Sequence, residues 1–300
     1  MNLNEVREIL CKEDLIKTVH FSRKTKTHYI SYSPEVDPVI LDDLLNYMYS
    51  YLESFTDLEQ IAFNPTGCRD GTVETCSSDY LGNFEEVISS FNVGNIENIE
   101  DEVDNLSFYC IDVADQAGNN LKLFRRVTKF KRLYSKGLLA AFQGNRLNKV
   151  DDKMLGLDGN IDLIIYNGEV AILSHTSLER IFRLEEQYLN KAVEAIALLK
   201  GSNKIVNFDE FEEDCMSDLR VRKVLTKMLS EERDLDRCFD NFNNIVETID
   251  LFGLEIEIQR APVPQIIYED KKQIMDILRI ARDSYYLSLV RERPGIDNKI

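Results

Sequence analysis

The apolar spacing switches between the helical and the extended period along the chain, and each switch marks an element. Val6, Ile9 and Leu10 recur at helical spacing within residues 4–16. Residues 18–33 (TVHFSRKTKTHYISYS) are rich in β-branched and aromatic side chains, and SRKTKT reads as a hairpin turn. Asp37-Pro38 opens a helix with proline at its first position, and Ile40, Leu41, Leu44, Leu45, Met48 and Leu52 form its stripe. Residues 64–81 carry enough Pro, Gly, Asp and Ser to read as a long loop, and a short helix follows over 83–91. Residues 92–105 are acidic and read as a solvated loop.

A strand-rich middle follows. Residues 106–114 and 121–133 alternate around the turn Ala117–Asn120 and predict a hairpin; residues 136–143 and 146–150 predict further strands. Ile161–Tyr166 and Val170–Ser174 flank Asn167-Gly168, the strongest hairpin signal in the chain, because both turn residues must take positive φ. Beyond Ser174 the period turns helical. Thr176 or Ser177 can cap a helix reaching Lys200, with Gly201 ending it, and further helices are expected over 207–216, 217–230, 234–251 and 269–287. The expected fold is α+β: an N-terminal α/β region over 1–120, then a core over 121–300 with a central antiparallel sheet and a helical C-terminal half.

Composition narrows the class. With 44% hydrophobic and 30% charged residues, the 300-residue chain belongs among globular proteins rather than disordered ones. Its longest apolar runs are about five residues, far short of the ~20 a membrane helix needs. Charges occupy the N-terminal positions where a signal peptide would be apolar, so a cytoplasmic protein is expected. Six cysteines without a CxxC pair, and only three histidines, argue for free thiols and against a structural zinc site.

Charge supplies the first functional content. The net charge of −17 makes the chain as a whole repel nucleic acid and anionic membrane. Yet residues 121–149 hold nine bases (Lys122, Arg125, Arg126, Lys129, Lys131, Arg132, Lys136, Arg146 and Lys149) and no acid. The other 271 residues carry 27 bases against 53 acids. On an extended strand, Arg125, Lys129 and Lys131 share one face, while Arg126 and Arg132 share the other with Phe124 and Phe130. Bases interleaved with aromatics suit phosphate contact, arginine adding bidentate geometry. The plainer reading is a solvated sheet face, or bases paired with acids from elsewhere. The candidate DNA-binding residues are Lys122, Arg125, Arg126, Lys129, Lys131, Arg132 and Lys136.

Catalytic patterns are weaker. Restriction-type nucleases set an aspartate on one strand and Glu-x-Lys on the next, holding a metal and orienting water. Asp158, Asp162 and Glu169 sit around the Asn167-Gly168 turn in that order, but the lysine position holds Ala171. His20 and His28 fall in the first hairpin, and His175 lies at a helix entrance. There is no GxSxG, GxxxxGKS or GxGxxG. No catalytic residue, metal or cofactor is expected. The bases Arg220, Arg222, Lys223 and Lys227 are flanked by FDEFEED and SEERD, which reads as an internally paired face.

The stretch SKGLLAAFQGNRLNKVDDKMLGLDGNIDLIIYNGEVAILSHTSLERIF resembles the shared core of the KwaB family, the soluble component of the Kiwa anti-phage defence system. The resemblance rests on Leu157-Asp158, Asp162–Ile165, Asn167-Gly168, Val170–Leu173 and Leu178-Glu179-Arg180-Ile181-Phe182. The ending DKKQIMDILRIARDSYYLSLVRERPGIDNKI is similar too, so the likeness covers roughly residues 121–300. Leu178 stands where the family pattern has an aromatic, and Asn298-Lys299 replaces a Ser-Lys-like ending. The resemblance implies a non-catalytic, cytoplasmic protein that binds DNA and works at the inner face of the membrane with a membrane-spanning partner, KwaA. A homo-oligomer stays open. A divergent metal-dependent nuclease and an acidic scaffold that never touches DNA are the alternatives.

Overall fold

The computed structural model of the chain describes residues 1–67, 69–92, 99–127, 140–144, 146–149, 154–231 and 234–297. The fold is α+β, and the chain divides into two compact units, one of Met1–Phe63 with Cys68–Leu184 and one of Asn64–Gly67 with Glu185–Ile300.

The first unit is built on an eight-stranded sheet. Its strands are β1 (Ile16–Lys24), β2 (Tyr29–Tyr32), β3 (Glu59–Ala62), β4 (Thr72–Ser77), β5 (Phe108–Ala114), β6 (Asn120–Arg126), β9 (Leu163–Tyr166) and β10 (Glu169–Ile172). A separate hairpin pairs β7 (Ala140–Gln143) with β8 (Arg146–Lys149). The spatial order in the large sheet is β2-β1-β5-β6-β9-β10-β4-β3. Every pairing is antiparallel except β3 with β4, so the sheet is mixed.

Three hairpins follow directly from turn chemistry. β1–β2 closes through Thr25 and His28, whose backbones share a 2.9 Å hydrogen bond. β5–β6 closes around Asp115, whose Oδ1 accepts from the N–H groups of Ala117 and Asn119, both at 2.9 Å. At β9–β10, Asn167 (φ 51°) and Gly168 (φ 77°) take the left-handed conformations that the turn requires.

Helices cover both faces of the sheet. On one face, α1 (Leu3–Leu10) and α2 (Pro38–Leu52) bury Val6, Ile9, Leu44, Leu45, Met48 and Leu52 in one cluster with Phe21, Ile111, Leu123 and Ile164. Asp37 caps α2 by accepting from the Val39 N–H at 2.9 Å. The other face is aromatic. His20 stacks on Phe91 of α3 (Phe84–Phe91) with centroids 4.4 Å apart, and Phe124 meets Phe91, Phe108 and Phe182.

Several expected elements differ, the loop expected over 92–105 among them, since it holds a helical turn at Ile99–Glu102. The loop expected over 64–81 contains β4, because Val73 and Glu74 are buried between β3 and β10. The single helix expected from about 176 to 200 is two. Among the described residues, the helices after the four-residue α4 (Ile99–Glu102) are α5 (His175–Ile181) and α6 (Leu184–Gly201), broken where Arg183 takes φ 50°. That kink lets the Arg183 guanidinium reach the carbonyls of Thr25 and His28 while lying 4.5 Å over the Tyr29 ring.

The second unit has its own core. α7 (Phe208–Ser217), α8 (Leu219–Ser230), α9 (Phe242–Phe252) and α10 (Ile274–Ala281) bury Phe211, Leu225, Met228, Phe239, Ile277 and Leu278. The helix expected over 234–251 begins only at Phe242, and the one expected over 269–287 ends at Ala281. The spacing also does not reveal two small sheets, β11 (Ile205–Val206) with β13 (Gln265–Ile267) and β12 (Glu257–Gln259), and β14 (Tyr285–Leu287) with β15 (Pro294–Ile296). Strands of two or three residues are too short to establish a period.

Candidate functional site

β6 carries the front end of the basic segment. Its alternation points Leu121, Leu123 and Arg125 to the α1/α2 face, and Lys122, Phe124 and Arg126 to the aromatic face. Because helices cover both faces, none of the three bases stands on an open sheet surface.

Acids distant in sequence have come to two of them. Lys122 donates to Asp112 Oδ2 at 2.6 Å across the β5–β6 pair, and to Asn120 Oδ1 at 2.7 Å. Arg125 makes a fork on Asp158, Nε to Oδ1 and Nη2 to Oδ2, both at 2.9 Å. Its Nη1 donates to Asp162 Oδ1, also at 2.9 Å. Burial works against the Arg125 charge, but the two carboxylates outweigh it and push its pKa up.

Asp162 is nearly buried, its side chain 4% exposed. Its second oxygen accepts from the Arg126 N–H at 2.7 Å, so both oxygens receive donors from β6. Its backbone carbonyl accepts from the N–H groups of Leu173 and Ser174. Asp158 is set beside it by an Asx turn, Oδ1 accepting from Asn160 N–H at 3.0 Å. Gly159 between them lies against α2, where an added Cβ would fall 2.3 Å from Tyr47 Cβ.

These positions bear on the metal pattern. Asp158 and Asp162 do converge, but upon a guanidinium. Glu169 sits at the far end of the hairpin and pairs with the N-terminal ammonium at 2.7 Å. Ala171 is buried. Among the described residues no group of three or more His, Cys, Asp or Glu is placed to hold a metal ion. The histidines lie apart: His20 Nδ1 is 2.6 Å from Ser33 Oγ, His28 joins the Thr25 turn, and His175 sits between Glu74 and Glu179. Burial pushes the His20 pKa down.

Arg126 differs from its neighbours on β6. Its guanidinium has no hydrogen-bond or ion-pair partner among the described residues. It lines a cavity of about 430 Å³ with Lys24, Ser107, Phe108, Val127, Arg180 and Ile181. Lys24 donates to the Arg180 carbonyl, which joins the end of β1 to α5. Burial, then the nearby Arg180 charge, lower the Arg126 pKa, and Asp162 opposes them. Sequence reading singles out Arg126 but misses Lys24 and Arg180, which only the sheet order brings beside it. Of the other candidate bases, Lys129, Lys131, Arg132 and Lys136 lie outside the described residues.

With this geometry in place, comparison with known proteins decides the family. A family model described as Kiwa protein KwaB-like matches residues 103–291. The chain belongs to the KwaB-like family. No curated protein and no solved structure matches it. The match spans β5 through β14 and so takes in Arg125, Arg126, Asp158, Asp162 and Arg180. As a KwaB-like protein the chain is a component of Kiwa anti-phage defence. No helix among its described residues is long and apolar enough to cross a membrane.

Proposed function

We propose that this KwaB-like protein is a non-catalytic, sequence-independent DNA-binding component of the defence complex, acting at the inner face of the membrane with KwaA. The observation that carries this reading is the segment 121–149, nine bases without an acid in a chain of net charge −17. Phosphate contacts from such a segment supply affinity without reading sequence. Screening beyond about 8 Å at physiological salt lets a local patch act within an acidic molecule.

The pairing seen on β6 refines which bases do this. Lys122 and Arg125 are committed to Asp112, Asp158 and Asp162 and serve the fold. The contacts therefore fall to Arg126 and the bases beyond it. A second-unit patch is a weaker candidate: Arg222 lies 3.7 Å from Glu185, and Lys223 sits 5.6 Å over the Tyr188 ring.

Salt-dependent binding to duplexes of unrelated sequence tests the reading. Each neutralised phosphate contributes about 0.9 to the slope of log K against log salt, so about five contacts give roughly −4 to −5. The combined substitution Lys129→Gln, Lys131→Gln and Arg132→Gln should weaken binding alike on every sequence and flatten the slope by about three. Unchanged affinity and slope in a folded variant would remove the segment from DNA contact. Binding to KwaA without any binding to DNA would favour the scaffold, and magnesium-dependent cleavage the nuclease.

A further inference from the structure

The cavity where β1, β5, β6 and α5 meet brings together features that a solvated strand face lacks. Among the described residues, three cationic ones, Lys24, Arg126 and Arg180, line it, and no acid does. They arrive from separate elements, so their convergence is a product of the fold and not of a basic run. Phe108, fully buried, forms an apolar wall with Val127 and Ile181, and Ser107 adds a polar position. At about 430 Å³ the cavity lies within the range of small-ligand sites.

Charge selects the ligand class. Like charges held together in a partly desolvated site repel, and an anion relieves them. A backbone phosphodiester brings one negative charge. A terminal phosphate monoester brings up to two, with three acceptor oxygens for guanidinium and ammonium donors. Asp162, which lies nearby, already places its two oxygens on Arg125 and on the Arg126 N–H.

We propose that this cavity binds a terminal phosphate monoester on a nucleotide, Arg126 and Arg180 gripping the phosphate, Lys24 adding charge, and the apolar wall receiving the rest of the ligand. The phosphate can come from a free mononucleotide or from the 5′ end of a DNA strand. Either source fits the same chemistry. The site shares Arg126 with the duplex contacts proposed above, but Lys24 and Arg180 belong to it alone, and it stands whether or not those contacts exist.

The test is titration calorimetry of the full chain with AMP and with adenosine, repeated on Arg126→Gln, Arg180→Gln and the double variant. AMP should bind about tenfold or more tightly than adenosine, and each substitution should remove most of that advantage. Circular dichroism should show every variant folded, since neither guanidinium has a side-chain partner to lose among the described residues. A 5′-phosphorylated single strand that displaces AMP, where its 5′-hydroxyl counterpart does not, identifies a strand end as the source. If neither strand displaces AMP, the source is the free nucleotide. AMP binding no tighter than adenosine, or a folded double variant that keeps the advantage, overturns the proposal. Covalently closed circular DNA, which has no terminal phosphate, reports on the DNA-binding reading separately.

Discussion

Arg125, which the sequence offers as a phosphate contact, is engaged by carboxylates of its own fold. Its fork on Asp158 and its third bond to Asp162 join β6 to the segment that enters β9. The ion triad is partly desolvated, the Asp162, Arg125 and Asp158 side chains being 4%, 19% and 37% exposed. A partly buried arginine that loses a carboxylate keeps its desolvation cost without that compensation. Asp162→Ala also strips an acceptor from the Arg126 N–H. We expect a loss of about 2–4 kcal/mol in unfolding free energy, from two charge-assisted bonds in a partly buried setting. Urea denaturation reads this directly, and a change under about 0.5 kcal/mol, the scale of ordinary surface substitutions, would show the triad to be decorative.

At the scale of elements, the β9–β10 hairpin has the most consequence. It carries strands into the middle of the sheet, between β6 on one side and β4 on the other. Its register, Ile165 opposite Val170 and Ile164 opposite Ala171, depends on the two-residue turn. Gly168 has φ 77°, and an added Cβ meets nothing closer than Ser78 Oγ at 4.0 Å. The cost of Gly168→Ala is therefore conformational rather than steric, about 1–2 kcal/mol. Thermal or urea unfolding should show that loss, and an unchanged midpoint would mean that the turn relaxes without penalty. The α5–α6 break is the second such element. The helical period runs through it because Phe182 is apolar and Arg183 is a good helix former. The carbonyls of Thr25 and His28 and the Tyr29 ring, from a hairpin some 150 residues earlier, give Arg183 a reason to leave the helix.

For the molecule as a whole, thiol state is a test that reaches both units. Cys11, Cys76, Cys110, Cys215 and Cys238 are all unpaired, with Cys11 exposed and Cys110 and Cys215 buried. Burial pushes the Cys76 and Cys238 thiols up to about 12, and raises those of Cys110 and Cys215 well above the ordinary thiol value. Because the thiolate is the reactive form, these four should react slowly in the native protein. Titration after denaturation without reductant should return close to six thiols, the sequence count, with Cys11 among those labelled first. A denatured count near zero would place the chain in disulfides and in an oxidising compartment.

The elements that the chain alone determined are those with a local cause: the Asn167-Gly168 turn, the β1–β2 and β5–β6 hairpins, and the helix behind Asp37-Pro38. Their signals lie within a few residues, where turn conformation and side-chain period act directly. Family likeness was legible for the same reason, in Asp162–Ile165 and Val170–Leu173, which are strand and turn sequence. The fate of Lys122, Arg125 and Arg126 was decided only by tertiary structure. Acid-free sequence around Lys122 and Arg125 says nothing about Asp112, Asp158 and Asp162, which sheet pairing and the β9 entry bring within hydrogen-bond distance. The same pairing sets Arg126 beside Lys24 and Arg180, about a hundred residues before it and fifty after. Charge acts through space, and a sheet of order β2-β1-β5-β6-β9-β10-β4-β3 makes neighbours that no spacing along the chain records.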